Sequence, residues 1–228
     1  MTISVMCAND AVLPDDLAHL TVTRAGLDRD SLRAGVAKAM APLDVDRVIV
    51  VGGAELPDAF CGGVVSRLMI AERLDVEIAY VAPAATPGTA AWGLPHGTAA
   101  VDLALTGTAV TVPLIRDDAA VVIIGGARHL GENGAPFTGE SIVDSERLAL
   151  GEITTVLIRP TRAEPGVEGA LQKRFRQKWI AGRAVQTGGI DIVVERDGVR
   201  ADRPVKRSTI YRHHEDWKLV SPTNRITT

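Results

Sequence analysis

The sequence predicts an α/β N-terminal lobe built on a parallel sheet, followed by a β-rich C-terminal lobe. Apolar strand runs alternate with helical repeats over the first part of the chain, the arrangement that a parallel sheet with crossover helices produces. From Pro113 onward the pattern shifts to short strands separated by turn residues, with Asp197-Gly198 as a tight hairpin near the end. These features place the lobes at residues 1–110 and 111–228.

Thr2 to Cys7 reads as a short buried strand, and Asp30 to Met40 as a helix with apolar residues at helical spacing. Arg47 to Val51 is a second buried strand, closed by Gly52-Gly53. A helix follows the Pro57 break, from Phe60 to Leu74, although Gly62-Gly63 weakens its first turn. Val76 to Val81 is the next strand. Pro83 to Pro95, rich in Pro, Gly and Thr, reads as a loop that delivers the chain to an apolar helix after Gly97.

In the second lobe, strands are expected at Thr111 to Ile115, Ala119 to Ile124 and Thr154 to Ile158, with Asp117-Asp118 as a tight connection. Ala127 to Arg147 contains Gly131, Gly134, Pro136 and Gly139 and reads as a loop-rich wall of a cleft. Leu171 to Trp179 is a basic helical or loop segment. Asp191 to Glu195, Thr209 to Arg212 and Trp217 to Val220 form a terminal meander.

The 228 residues carry an ordinary apolar fraction of 46%, enough for a packed core. A net charge of -3 argues against a nucleic-acid partner held by bulk charge. No run of apolar residues approaches the roughly 20 that a transmembrane segment needs. Two cysteines, Cys7 and Cys61, and an N-terminus without a secretory pattern fit a reducing, cytoplasmic setting. The expected partner is a small-molecule or lipid ligand, and a homo-oligomer is compatible with this composition.

The most telling stretch is Leu94-Pro-His-Gly-Thr98, which runs straight into the apolar helix. Gly97 accepts backbone angles that a Cβ resists, and Thr98 is placed to cap a helix whose free N–H groups favour an anion. Together with Val50-Val-Gly-Gly53 and Arg196-Asp-Gly-Val199, this order of motifs resembles the diacylglycerol kinase catalytic family, which includes bacterial lipid kinases and sphingosine kinases. The resemblance implies a nucleotide-phosphate site formed by Gly52, Gly53, Gly97 and Thr98, with ATP and magnesium as cofactors and a lipid or polyol hydroxyl as acceptor. It further implies that an acid of the second lobe acts as general base; Asp117, Asp118, Asp144 and Asp197 are the candidates.

This chain departs from the family pattern at several positions. Where the family has Gly-Gly-Asp-Gly-Thr, it reads Gly52-Gly-Ala-Glu-Leu56, and after Thr98 it has Ala100 and Val101 in place of Asn and Asp. Val199 replaces the usual Glu, and Cys7-Ala-Asn-Asp-Ala11 lacks the expected Asn-Pro-x-Ser-Gly. Phosphoryl transfer depends on positioning and on charge neutralised by carboxylate-held magnesium. The expected function is therefore a lipid-kinase-like protein with weak or lost transfer; the alternative is a non-catalytic ligand-binding or regulatory module on the same fold.

Other groups carry weaker expectations. Glu55 and Asp58 flank Pro57 and would replace the missing acid, or else lie solvated on a loop. His129, Glu132, Glu140, Asp144 and Glu146 fall in one segment without zinc-motif spacing, so no metal site is assigned. A third reading makes His96 and His129 ligands of a small metal-handling enzyme. The cation-rich run from Arg203 to Trp217 reads as a solvated edge strand or as a phosphate-binding face, to which Lys173, Arg174, Arg176 and Lys178 would add.

Overall fold

The computed structural model describes residues 1–42 and 44–222. The described residues form two compact units, one of residues 1–112 together with 215–222, the other Pro113–His214. In the first unit, β1 (Thr2–Ala8) and β2 (Thr21–Ala25) precede α1 (Arg29–Ala39), whose start is capped by the Asp28 carboxylate accepting the Ser31 N–H. Then come β3 (Val45–Val51), α2 (Pro57–Ile70), β4 (Glu77–Val81), α3 (Pro87–Trp92), α4 (Thr98–Thr106) and β5 (Thr108–Val112).

The second unit holds β6 (Ile115–Asp117), β7 (Ala127–Gly131), β8 (Phe137–Val143), β9 (Glu146–Ile153) and β10 (Thr155–Pro160). It continues with β11 (Val167–Leu171), β12 (Ile180–Gly182), β13 (Ala184–Arg196), β14 (Val199–Arg200) and β15 (Val205–Arg212). The chain then returns to the first unit as β16 (Trp217–Ser221).

The first sheet runs β2-β1-β3-β4-β16-β5, parallel throughout except for the antiparallel pairing of β5 with β16. Its central strands are buried on both faces, hence the unbroken apolar runs of β1 and β3. Helix α2 is apolar on all sides and buried along most of its length. The Gly62-Gly63 pair that weakened this helix on sequence grounds has a packing role: a Cβ at Gly63 would lie 2.6 Å from Leu32 Cδ1 of α1.

The second unit is an antiparallel sheet in the order β12-β11-β10-β7-β13-β15-β6, with β8 bridging β13 and β9. Ile115, Phe137, Val156, Val185 and Ile210 pack in one apolar core. The fold class is thus the one the sequence predicts, an α/β unit with a parallel sheet and a β-rich unit.

Several elements differ from expectation. The terminal meander does not form in the second unit: β16 pairs parallel with β4, where Trp217 meets Trp92 edge-on with ring centroids 5.5 Å apart. Burying those two indoles together outweighs sequence proximity to the preceding strand. Pro83 to Pro95 is not a plain loop but contains α3, whose start is a reciprocal capping box of Thr86 and Thr89 and whose end is Gly93 at φ 63°.

Ala127 to Arg147, expected as loop, is mostly β7 and β8. Gly131 and Gly139 are close-approach positions: a Cβ would come within 2.1 Å of the Ala135 carbonyl oxygen at Gly131 and 2.3 Å of the Gly188 carbonyl oxygen at Gly139. Ala119 to Ile124 is not a strand, because Asp117 accepts the Ala119 and Val121 N–H groups and curls the chain. Pro113 likewise splits the strand expected over Thr111 to Ile115. β15 is an edge over its first part only; at Ile210 and Tyr211 it is paired on both sides.

Candidate functional site

A cavity of about 300 Å³ lies at the C-terminal ends of the parallel strands of the first unit. Turns at this edge of an open α/β sheet are where such folds place ligands. The turn after β1 contributes Asp10 and Val12, the turn after β3 Gly52 and Gly53, the end of β4 Ala82 and Pro83, and the start of α4 Gly97, Thr98 and Val101. All four residues expected at a phosphate site therefore line one hollow, whose remaining wall is mainly aliphatic.

The two glycine turns are built differently. The Gly52 N–H donates to the Val81 carbonyl at 2.9 Å, and a Cβ at Gly52 would sit 2.6 Å from Pro57 Cβ. A Cβ at Gly53 would sit 2.0 Å from Asp10 Oδ1, so the Asp10 carboxylate rests on the Gly53 backbone. Asp10 Oδ2 also accepts the Glu55 N–H at 3.1 Å. This turn is filled from within.

Gly97 has φ 61° and ψ −141°, a region that side chains with a Cβ rarely enter, and a Cβ there would meet nothing closer than the Pro83 carbonyl oxygen at 3.9 Å. Its N–H donates to the Ala82 carbonyl at 2.9 Å, tying the start of α4 to the end of β4. Gly97 itself is the N-cap and Thr98 the first helical residue, so Thr98 does not cap the helix as its residue type suggests; no side chain does. At the other end, the buried Arg47 guanidinium donates to the carbonyls of Ala104 and Gly107 at 2.7 and 2.8 Å and satisfies the orphan acceptors.

The other helix starts of this unit are occupied. Asp28 caps α1, Thr86 caps α3, and α2 has Asp58 in its first turn. Helix α4 has neither a side-chain cap nor an acidic residue in its first turn. The N–H groups and dipole at its start therefore meet no counter-charge from the helix itself.

Asp58, expected on a solvated loop, is only 5% exposed. Its carboxylate accepts the Tyr80 hydroxyl and the Thr86 hydroxyl at 2.7 Å each and the Gly88 N–H at 2.8 Å. Burial, then the nearby Cys61 and Asp58, push the Tyr80 phenol far up, so it stays a neutral donor. Asp58 thus joins α2, β4 and α3 as a structural bridge. Both cysteines are buried and neither forms a disulfide; burial raises the Cys7 thiol, leaving it a poor nucleophile.

In the second unit the four candidate bases are engaged with backbone. Asp117 is fully buried, accepts two N–H groups and pairs with Arg196. Asp197 accepts the N–H groups of Ile124, Gly125 and Gly126 at 2.9, 2.7 and 2.9 Å. Asp144 accepts those of Arg183 and Ala184 at 3.0 Å, and Asp118 that of Thr209 at 3.2 Å. Each holds a turn or a strand end.

His129 is fully buried, with Nδ1 2.7 Å from Thr187 Oγ1 and Nε2 3.1 Å from Ser208 Oγ. Both ring nitrogens are used, which removes it as a metal ligand and with it the His96 and His129 reading. Burial, and secondarily Arg196, lower its pKa to about 3, so the imidazole is neutral in the folded protein. Glu140 pairs with Arg147 and Glu146 with Lys178. Among the described residues no group of three or more His, Cys, Asp or Glu is placed to hold a metal ion.

Sequence reasoning missed Asp10, the one carboxylate on the cavity wall. The signal was an acidic residue directly after a buried strand, the position where a parallel sheet exposes its turns.

Comparisons place this architecture among known structures. The chain superposes on a diacylglycerol kinase from Bacillus anthracis with a TM-score of 0.67 at 10% identity, covering 96% of each chain. An NAD kinase from Archaeoglobus fulgidus, solved in complex with ATP, matches with a TM-score of 0.60 at 13% identity over 96% of this chain and 94% of that one. Yeast NADH kinase, solved with NADH, matches with a TM-score of 0.55 at 9% identity, covering 98% and 84%. The protein has the fold of these kinases. No protein-family profile and no curated protein matches the chain.

Proposed function

We propose that this protein binds the phosphates of a nucleotide, ATP in the first instance, at the start of α4, and that transfer to a lipid or polyol hydroxyl is slow or lost. The observation that carries the reading is the uncapped, acid-free N-terminus of α4 at the edge of a cavity lined by Gly52, Gly53, Gly97 and Thr98. The aliphatic wall of Pro83, Val81 and Val101 suits the flat apolar face of a base or ribose. The kinase fold, shared with a structure that holds ATP, points the same way.

The engaged carboxylates of the second unit support the reading of slow transfer. A general base needs a carboxylate free to take a proton, and Asp117 and Asp197 spend their lone pairs on backbone N–H groups that would be orphaned by protonation. The non-catalytic binding module is therefore the closest variant of this reading.

Magnesium fits the donor set: it is commonly held by one or two carboxylates together with substrate phosphates, and Asp10 is the carboxylate on this wall. When bound, the ion would neutralise phosphate charge. Asp10 would then turn from a group that repels the nucleotide into one that helps hold it.

Titration calorimetry with ATP, with and without magnesium, tests the reading. Binding is expected with magnesium and weak without it, and Asp10→Asn is expected to narrow that difference. No heat under either condition contradicts the assignment.

A further inference from the structure

The segment between β11 and β12 presents a feature that the nucleotide reading leaves unused. Lys173, Arg174, Phe175, Arg176 and Lys178 follow one another with no acidic residue among them, and Phe175 is 90% exposed. Water disfavours a bare phenyl ring, and its placement on an irregular loop among four cations leaves apolar surface that a partner of opposite charge would cover. Lys173 and Arg176 form no ion pair among the described residues, while the Arg174 guanidinium lies 5.5 Å from the Phe175 ring centroid and travels with it.

A pocket of about 110 Å³ opens at the base of this loop. Its lining combines the cations Arg147, Lys173 and Lys178 with the aliphatic Leu148, Leu171 and Ile180. Glu146 pairs with Lys178 at 3.3 Å and Glu140 with Arg147 at 2.7 Å, so the surplus positive charge here comes from Lys173 and the neighbouring Arg174 and Arg176. Lys173 and Lys178, which bracket Phe175 in the sequence, thus also line an aliphatic pocket.

We propose that this loop docks the protein on an anionic lipid surface, Phe175 entering the headgroup boundary and the flanking cations facing lipid phosphates. Such a surface offers both things the loop lacks, apolar depth and negative charge, within a few ångströms of each other. A single-stranded nucleic acid fits less well, because it needs successive free aromatic platforms, and the next aromatic residue, Trp179, is covered by the Arg159 guanidinium at 4.0 Å from its centroid. This inference stands apart from the nucleotide site.

Cosedimentation of the full chain with vesicles of phosphatidylcholine alone, and of phosphatidylcholine mixed with phosphatidylglycerol, tests it. The chain is expected to bind the mixed vesicles, to release them as salt rises, and to ignore the neutral ones. Phe175→Ala is expected to lower the partition coefficient roughly tenfold, and the double change Lys173→Glu with Arg176→Glu to abolish binding, both with unchanged thermal unfolding and unchanged ATP calorimetry. Failure to bind mixed vesicles, equal binding to neutral ones, or full binding by Phe175→Ala overturns the proposal. So does tight binding of a single-stranded oligonucleotide that Phe175→Ala removes while vesicle binding stays.

Discussion

Two glycine turns border the same cavity and are finished in opposite ways. At Gly52-Gly53 the protein supplies its own occupants, the Pro57 ring against one glycine and the Asp10 carboxylate against the other. At Gly97-Thr98 it supplies none: the backbone takes its left-handed turn, the helix begins, and no side chain caps it. A glycine after a buried strand is thus not by itself a ligand signal. What separates a packing glycine from a binding one is whether the chain has already consumed the free N–H groups around it.

The second unit follows the first pattern. Asp117, Asp144 and Asp197 each gather backbone donors in a turn, and His129 is held between two hydroxyls. The largest effect of testing this contrast is expected at Asp197. Replacing it with Ala leaves three N–H groups short of their acceptor and is expected to destabilise the protein by about 3 kcal/mol in urea unfolding. If Asp197 were instead a free base, Asp197→Asn would remove turnover and leave stability nearly unchanged.

Gly52→Ala comes next. The new methyl meets a proline ring that cannot swing away, so a loss of about 2 kcal/mol is expected by the same measurement. Gly53→Ala meets only the end of an exposed aspartate and should cost less, with Asp10→Gly relieving it. Equal losses at the two positions would break the account of how this turn is filled.

The buried imidazole gives a pH signature. His129 binds its proton in the unfolded chain near the ordinary value of about 6.5 but only near pH 3 when folded. The unfolded state therefore holds more protons between those values, and stability is full above pH ~6.5 and falls as the pH drops toward ~3. His129 contributes up to about 1.4 kcal/mol per pH unit to that slope. Denaturation midpoints of wild type and His129→Gln across this range should converge at low pH; parallel curves would mean that the histidine titrates normally.

The smallest stability change is expected at the open turn. Thr98→Asp places a carboxylate on the free end of α4 and should stabilise the fold by about 0.5 kcal/mol while weakening nucleotide binding at least tenfold, roughly the effect of an internal anion at the same seat. Gly97 is the wrong position for this test, because any side chain at its backbone angles adds strain of about 1–3 kcal/mol. Opposite signs for stability and affinity in one variant are hard to obtain in any other way.

Much of this was legible in the residues. The apolar runs of β1 and β3, the strand before Gly52, the turn at Pro95 to Thr98 and the Asp197-Gly198 hairpin each carry a local signal, and the structure places them as read. Two φ values, 47° at Asp197 and 86° at Gly198, show why that pair was readable. What stayed hidden depends on long-range contacts. Gly131 and Gly139 look like loop residues until the crossing strands are seen, and β16 joins the first sheet through a tryptophan pair far apart in sequence. Asp10 looked like a missing motif; only its contact with Gly53, 43 positions on, reveals what it does.

The most direct test of the central claim is a titration of the ¹⁵N-labelled protein with ATP and magnesium, followed at the backbone amides. The open-turn account predicts that Thr98 and Ala99 shift strongly, while the Gly52 amide, already donating to the Val81 carbonyl, moves little. Large shifts at Gly53 to Glu55 with a silent α4 start would contradict it.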